Sequence, residues 1–246
     1  GESTRPGATP VTEQQELDRV APVVEALVRE LDALVSVDTS SALVMREVSA
    51  LGAGMINDVR ALERDGALMA AASSGLPVCL MHRQGEPQDM QHSPGYDVPV
   101  EQAVAAYLAE RVAACEAVGL RRHRLLLDPG FGFGKTVEHN LRLIAAADWI
   151  VDLGPEGGMK GGQVVAQATP QSLIDEPGAS LTARYLRQFM EQYGPKKPKK
   201  QLAAKRKRTA PIPAPEAIEI VGAREHNLKN VSLSVPLNSL ITITGV

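Results

Sequence analysis

Leu125-Leu126-Leu127-Asp128-Pro129-Gly130-Phe131-Gly132-Phe133-Gly134-Lys135 is the stretch on which the fold turns. Three leucines with the look of a buried strand end on a carboxylate. A loop of alternating glycine and phenylalanine follows, and a helix begins near Glu138. This is the anatomy of a ligand site at the C-terminal end of a strand. The glycines let backbone approach a ligand closely, the two rings offer flat apolar surface, and Asp128 sets a charge at the mouth of a sheet.

The same unit recurs upstream. Glu13 to Leu31 carries Leu17, Val20, Val24, Leu27, Val28 and Leu31 at helical spacing, and Thr12 with Gln15 forms its start signal. Leu34 to Asp38 reads as a short buried strand ending on a carboxylate. Thr39-Ser40-Ser41 then caps a helix over residues 42 to 51, which Gly52 and Gly54 close. Met55-Ile56-Asn57-Asp58 is a strand ending in two polar residues, with a helix to Ser74 and Gly75 behind it. Pro77 to His82 is the next strand, a polar loop runs to Tyr96, and a long helix from Pro99 to Val118 is closed by Gly119. Strands alternating with helices imply right-handed crossovers and a parallel sheet, with every polar strand end at one pole. In a (β/α)8 barrel that pole carries the chemistry.

Composition sets the outer bounds. With 246 residues and 44% hydrophobic content, the chain can bury one large core or two small ones, and its net charge of -3 gives no global pull toward nucleic acid or membrane. Cys79 and Cys115 lack CxxC spacing and sit in apolar patterns, which predicts reduced, buried thiols. No apolar run approaches the roughly 20 residues that span a bilayer, and no leader signal opens the chain, so a cytoplasmic protein is expected. The chain starts at Gly1 in a polar loop, and a strand from Ser239 to Thr244 stops on Gly245-Val246; both ends read as cut through elements.

Residues 1 to 7, Ser36-Val37-Asp38-Thr39, Ile56-Asn57-Asp58-Val59-Arg60, Leu80-Met81-His82 with Gln84-Gly85, and Leu127 through Lys135 together resemble dihydropteroate synthase of folate biosynthesis, in order and spacing, over about residues 1 to 144. The resemblance implies a (β/α)8 TIM barrel, here present for about half its strands. It implies a transferase that joins 4-aminobenzoate to 6-hydroxymethyl-7,8-dihydropterin diphosphate and releases diphosphate with Mg2+ as helper, in a homodimer. Asp38, Asn57 and Asp128 would pair with the edge of the pterin, Met81 would lie against its face and Phe133 beside the aminobenzoate. Thr4 and Arg5 would belong to a loop covering the site. The implied catalytic set is Arg5, Asp38 and Asp128.

Residue chemistry agrees with these roles. A pterin presents an amide and an amino edge that carboxylates and an Asn amide can match. The Arg5 fork suits a diphosphate or a carboxylate. Taken singly, other readings stand: Asp38 as a turn residue, Asn57-Asp58 as the cap of the next helix, His82 as a satisfied core or loop histidine. Lys135 receives no contact, and Arg83 departs from the apolar residue that follows the family's histidine. The family's metal-binding Asn is expected to lie before residue 1, and its Ser-Arg-Lys loop and its final Arg and His are expected to be absent. The half barrel should then expose apolar interior and show little activity alone.

Beyond residue 144 the pattern changes. Ala147 to Gly158, Gly161 to Ala166, Thr169-Pro170 and Ser180 to Leu186 resemble the C-terminal end of the A subunit of the bacterial excision-repair nuclease, an ABC-type ATPase of DNA repair. Glu219 to Val231 with Leu240 to Val246 resembles the start of a further such domain, stopping before the phosphate-binding loop, so no ATP-binding residue is assigned. The domain reading is therefore 1 to 146, partial pterin-binding barrel; 147 to 190, ATPase C-terminal segment; 191 to 215, disordered Pro/Lys-rich basic linker; 216 to 246, N-terminal strands of a second ATPase domain. Lysines and arginines over residues 196 to 208 would make a weak, salt-dependent DNA contact. The alternative functions are a DNA-repair ATPase fragment and a chimeric product with neither activity.

Overall fold

The computed structural model describes residues 1–4, 8–85, 95–194, 217–224, 227–236 and 241–245. The chain divides into two compact units, Gly1–Asn140 and Leu141–Val246.

In the first unit, α1 spans Glu13–Leu31. Its start is fixed by a reciprocal pair: Gln15 N donates to Thr12 Oγ1 at 3.2 Å and Thr12 N donates to Gln15 Oε1 at 3.0 Å. Then follow β1 (Ser36–Asp38), α2 (Ala42–Ala50, capped by Ser41), β2 (Met55–Asp58) and α3 (Ala67–Ser74). The series continues with β3 (Val78–Met81), α4 (Val100–Ala117), β4 (Leu125–Asp128) and α5 (Val137–Ala145), the last running across the division between the units. The four strands form one sheet in the order β1-β2-β3-β4, all parallel. This is the alternating α/β pattern expected from the strand and helix periods.

Register decides which side chains share a face. Asp38 pairs with Asn57, Asn57 with Cys79, and Cys79 with Leu126. One step further along, Met81 pairs with Asp128. Registered partners point the same way and side chains alternate along a strand. Asp38, Asn57, Met81 and Asp128 therefore lie on one face at the C-terminal pole. The opposite face buries Val37, Ile56, Val78 and Leu80. Val37 packs there with Val24 of α1 and Val44 and Val48 of α2. Each such side chain, fully buried, contributes about 1.5–3 kcal/mol.

The outer strands depart from expectation. Leu126 and Leu127 are 46% and 44% exposed, and of β1 only Val37 is buried. An apolar run reads as a buried strand because parallel sheets are normally covered on both faces and flanked on both sides. Here β1 and β4 are the end strands of the sheet; on the polar-ended face Asp38 and Leu126 are exposed and Asn57, Cys79 and Asp128 half-buried, while Met81 is buried. Cys115 is buried as expected, but Cys79, on the polar-ended face, is only half-buried; both thiols are free.

The second unit is β-rich. β5 (Trp149–Gly154) pairs antiparallel with β6 (Gln163–Ala168), and two helices follow, α6 (Pro170–Asp175) and α7 (Leu181–Tyr193). β7 (Ala217–Ala223) and β8 (Val231–Pro236) form an antiparallel ribbon. β9 (Ile241–Gly245) runs parallel beside β5, giving a sheet ordered β6-β5-β9. Val151, Val231 and Leu233 centre its core. Asp152 is 4% exposed, and its carboxylate accepts from Ser180 Oγ at 2.6 Å, Thr182 Oγ1 at 2.9 Å and Thr244 Oγ1 at 2.7 Å. Ser180 is also the N-cap of α7. The stretches before and after the linker thus share one sheet. The basic tract at 196–208 lies outside the described residues. Among the described residues, no helix is long and apolar enough to cross a membrane.

Candidate active site

At the end of β1, Asp38 is exposed as a residue. Packed neighbours withdraw water from its carboxyl and the nearby Asp58 adds repulsion, so its pKa is raised above the usual carboxylate range. Beside it, Asn57 is half-buried, and its carbonyl accepts Thr39 N at 3.0 Å, locking the ends of β1 and β2 together.

Asp58 points the other way and is fully buried. It accepts Arg60 N at 2.9 Å, Leu62 N at 2.8 Å and the hydroxyl of Ser40. Burial raises its pKa while these hydrogen bonds pull the other way. Its task is to hold the turn in which Ala61 and Leu62 adopt φ values of 47° and 63°. It does not cap α3, whose N-cap is Gly66. The two adjacent residues are thereby separated in role, with only Asn57 on the face shared with Asp38 and Cys79.

Arg60 Nη1 lies 3.1 Å from Glu2 Oε2, and Arg64 lies 3.8 Å from the same oxygen. This pair ties residues 1–4, and with them Thr4, to the turn after β2. Arg5 lies outside the described residues.

The Gly/Phe loop is built around Asp128. Gly130 N donates to Asp128 Oδ1 at 2.7 Å, and His82 N donates to the Asp128 carbonyl at 2.8 Å. Phe133 N closes a turn onto the Gly130 carbonyl at 3.2 Å. A Cβ at Gly130, where φ is +66°, would sit 2.0 Å from the His82 carbonyl oxygen, and one at Gly134 would sit 2.4 Å from that of Gln84. These two glycines therefore serve the approach of the loop to the chain leaving β3, where the sequence pointed to approach by a ligand. Phe131 and Phe133 are half-buried.

Lys135, which received no contact from sequence reasoning, is 3% exposed. Its ammonium reaches His82 Nδ1 at 2.9 Å and the carbonyls of Gly130, Phe133 and His82 at 2.9, 3.1 and 3.3 Å. Burial, with the Lys135 charge adding to it, lowers the His82 pKa to about 4, so the ring is neutral and Nδ1 accepts from the ammonium. Burial also lowers Lys135 to about 8, opposed by the charge of Asp128. The His82 ring packs edge-on to Tyr107, with centroids 5.0 Å apart. His82 is thus the satisfied core histidine that the blander reading offered. Tyr96 was also missed; its hydroxyl donates to the Gly134 carbonyl at 3.1 Å. Cys79 lies between these groups, and burial followed by the charges of Asp128, Asp38 and Asp58 pushes its thiol up to about 12. An α/β unit with polar groups gathered at the C-terminal pole of a parallel sheet places them where barrel folds of this kind carry their active sites.

Residues 1–155 match the family described as pterin binding enzyme, and the chain belongs to that family. It is 54% identical over 145 residues to dihydropteroate synthase of Escherichia coli (strain K12), an alignment covering 59% of this chain and 51% of that protein. Among solved structures, it is similar to Yersinia pestis dihydropteroate synthase in a sulfonamide drug complex, with 55% identity and a TM-score of 0.57 over 59% of this chain and 52% of that one. Xanthomonas albilineans dihydropteroate synthase with 4-aminobenzoic acid gives 51% identity and a TM-score of 0.55 over 59% and 51%. The chain spans about half the length of the relatives it matches. The four-stranded parallel sheet accordingly reads as part of the barrel of these neighbours.

Proposed function

We propose that the first unit supplies the pterin-recognising face of a dihydropteroate synthase, the transferase that joins 4-aminobenzoate to a dihydropterin diphosphate in folate biosynthesis. The observation that carries this reading is register: Asp38, Asn57, Met81 and Asp128, from four successive strands, share one face at the C-terminal pole, where Asp38 is exposed, Asn57 and Asp128 are half-buried and Met81 is buried. Asn57 and the carboxylates of Asp38 and Asp128 hydrogen-bond the amide and amino edge of the pterin, Met81 covers its ring, and Phe133 stands beside the aminobenzoate. Thr4 and Arg5 cover the site, and Arg5 stabilises the leaving diphosphate. On the same reading the protein is cytoplasmic and homodimeric. Asp58 and Asp128 do not fit a magnesium cage, since both oxygens of the first and one of the second accept protein donors, and no group of three or more His, Cys, Asp or Glu that could hold a metal ion occurs among the described residues. No step is routed through the metal.

Calorimetric titration of the purified chain with 6-hydroxymethylpterin tests the reading. Saturable binding is expected, weakened about tenfold or more by Asn57→Ala or Asp128→Ala, since each leaves a buried ligand group unpaired. Equal binding by both variants contradicts the assignment.

For the residues after 155 we infer the excision-repair ATPase relationship from sequence alone, since β5 lies inside the stretch that matches the pterin binding enzyme family. On that reading, retention on DNA falls steeply between low and high salt, as phosphate contacts require. Retention indifferent to salt removes any role for the basic tract.

A further inference from the structure

Among the described residues Lys135 is the only buried lysine. Burying an ammonium is costly unless its protons are used, and here three protons meet four acceptors between 2.9 and 3.3 Å. Those acceptors come from two places. His82 follows β3, whereas Gly130 and Phe133 belong to the loop after β4.

That loop has little stiffness of its own. Gly130, Gly132 and Gly134 have φ values of 66°, 80° and 65°, which only glycine adopts at little cost. The buried ammonium gathers two of the loop's carbonyls, those of Gly130 and Phe133, onto His82 at the end of β3, while Tyr96 holds that of Gly134. Asp128 is fixed through the same atoms' neighbours: its carboxylate holds Gly130 N, and its carbonyl holds His82 N. We infer that Lys135 is a positioning residue whose ammonium sets Asp128 and Phe133 for the ligand by clamping the Gly130–Phe133 turn to His82. The inference rests on the reading of this face as a pterin site. The neutral His82 ring completes the clamp, because a protonated ring would repel the ammonium.

Lys135→Ala tests the clamp, with amide hydrogen exchange over residues 130–134 and 6-hydroxymethylpterin titration as readouts. Exchange at 130–134 should accelerate while the β3 amides stay protected, and affinity should fall about tenfold or more. Methylammonium added to Lys135→Ala should restore both; methanol should restore neither. Lys135→Met, which fills the volume without charge, should lose the same protection and gain nothing from methylammonium. Unchanged exchange in both variants overturns the inference, as does a loss that methylammonium leaves untouched. Should the unaltered chain bind no pterin while exchange still depends on the ammonium, the pterin reading falls and the clamp stands.

Discussion

His82 shows how a single residue acquires its role from contacts that sequence does not encode. Its partner Lys135 is remote in sequence, and the other acceptors in the cluster are carbonyl oxygens, common to every residue. No spacing or residue type announces such a cluster. The strand-end residues Asp38, Asn57 and Asp128 were legible because a polar residue closing an apolar run marks the pole of a parallel sheet. The cluster has a consequence for pH. The His82 pKa falls from 6.5 to about 4 on folding, so between those values the unfolded chain binds more protons. Stability present above about pH 6.5 is then lost as pH drops toward 4, on the order of 3 kcal/mol. Lys135 acts in a separate window: its pKa falls from 10.5 to about 8, so stability rises across that range. Urea unfolding followed from pH 7 to pH 4 checks the first statement. His82→Asn, which keeps an acceptor toward Lys135, should flatten the acid limb; an unchanged limb assigns it to other groups.

Elements were read more easily than their surroundings. The start signal and periodicity of α1, the Ser41 cap of α2 and the glycine that closes α4 stand in the sequence, and the observed bounds lie within a residue or two of expectation. The misjudged element was β4, since three leucines specify a strand but not whether another strand will flank it. Pairing of β5 with β9 was likewise hidden, because parallel partners can be distant in sequence and leave no local signal. Asp152 holds that pairing and the start of α7 together. Asp152→Ala removes three hydrogen bonds to one buried carboxylate and should destabilise the second unit by about 2–4 kcal/mol. The single tryptophan, Trp149, lies on β5, so its fluorescence during chemical denaturation reports this unit. A shift below about 0.5 kcal/mol, the range of ordinary surface substitutions, contradicts the role given to Asp152.

At the scale of the whole molecule, family membership spans residues 1–155 while the compact units divide after Asn140. The proposed pterin face lies in the first unit, whose four strands bring four candidate side chains to one pole. Ligand recognition is therefore the property that this unit should retain, and Met81 is placed to report it. Carbon-13 labelling of the methionine methyl groups, followed by titration with 6-hydroxymethylpterin, reads contact with the ring face directly. The account predicts a saturable ring-current shift of the Met81 methyl, with the exposed Met69 and Met159 unmoved. A Met81 resonance that stays in place, or equal shifts at all three, contradicts a pterin site on this face.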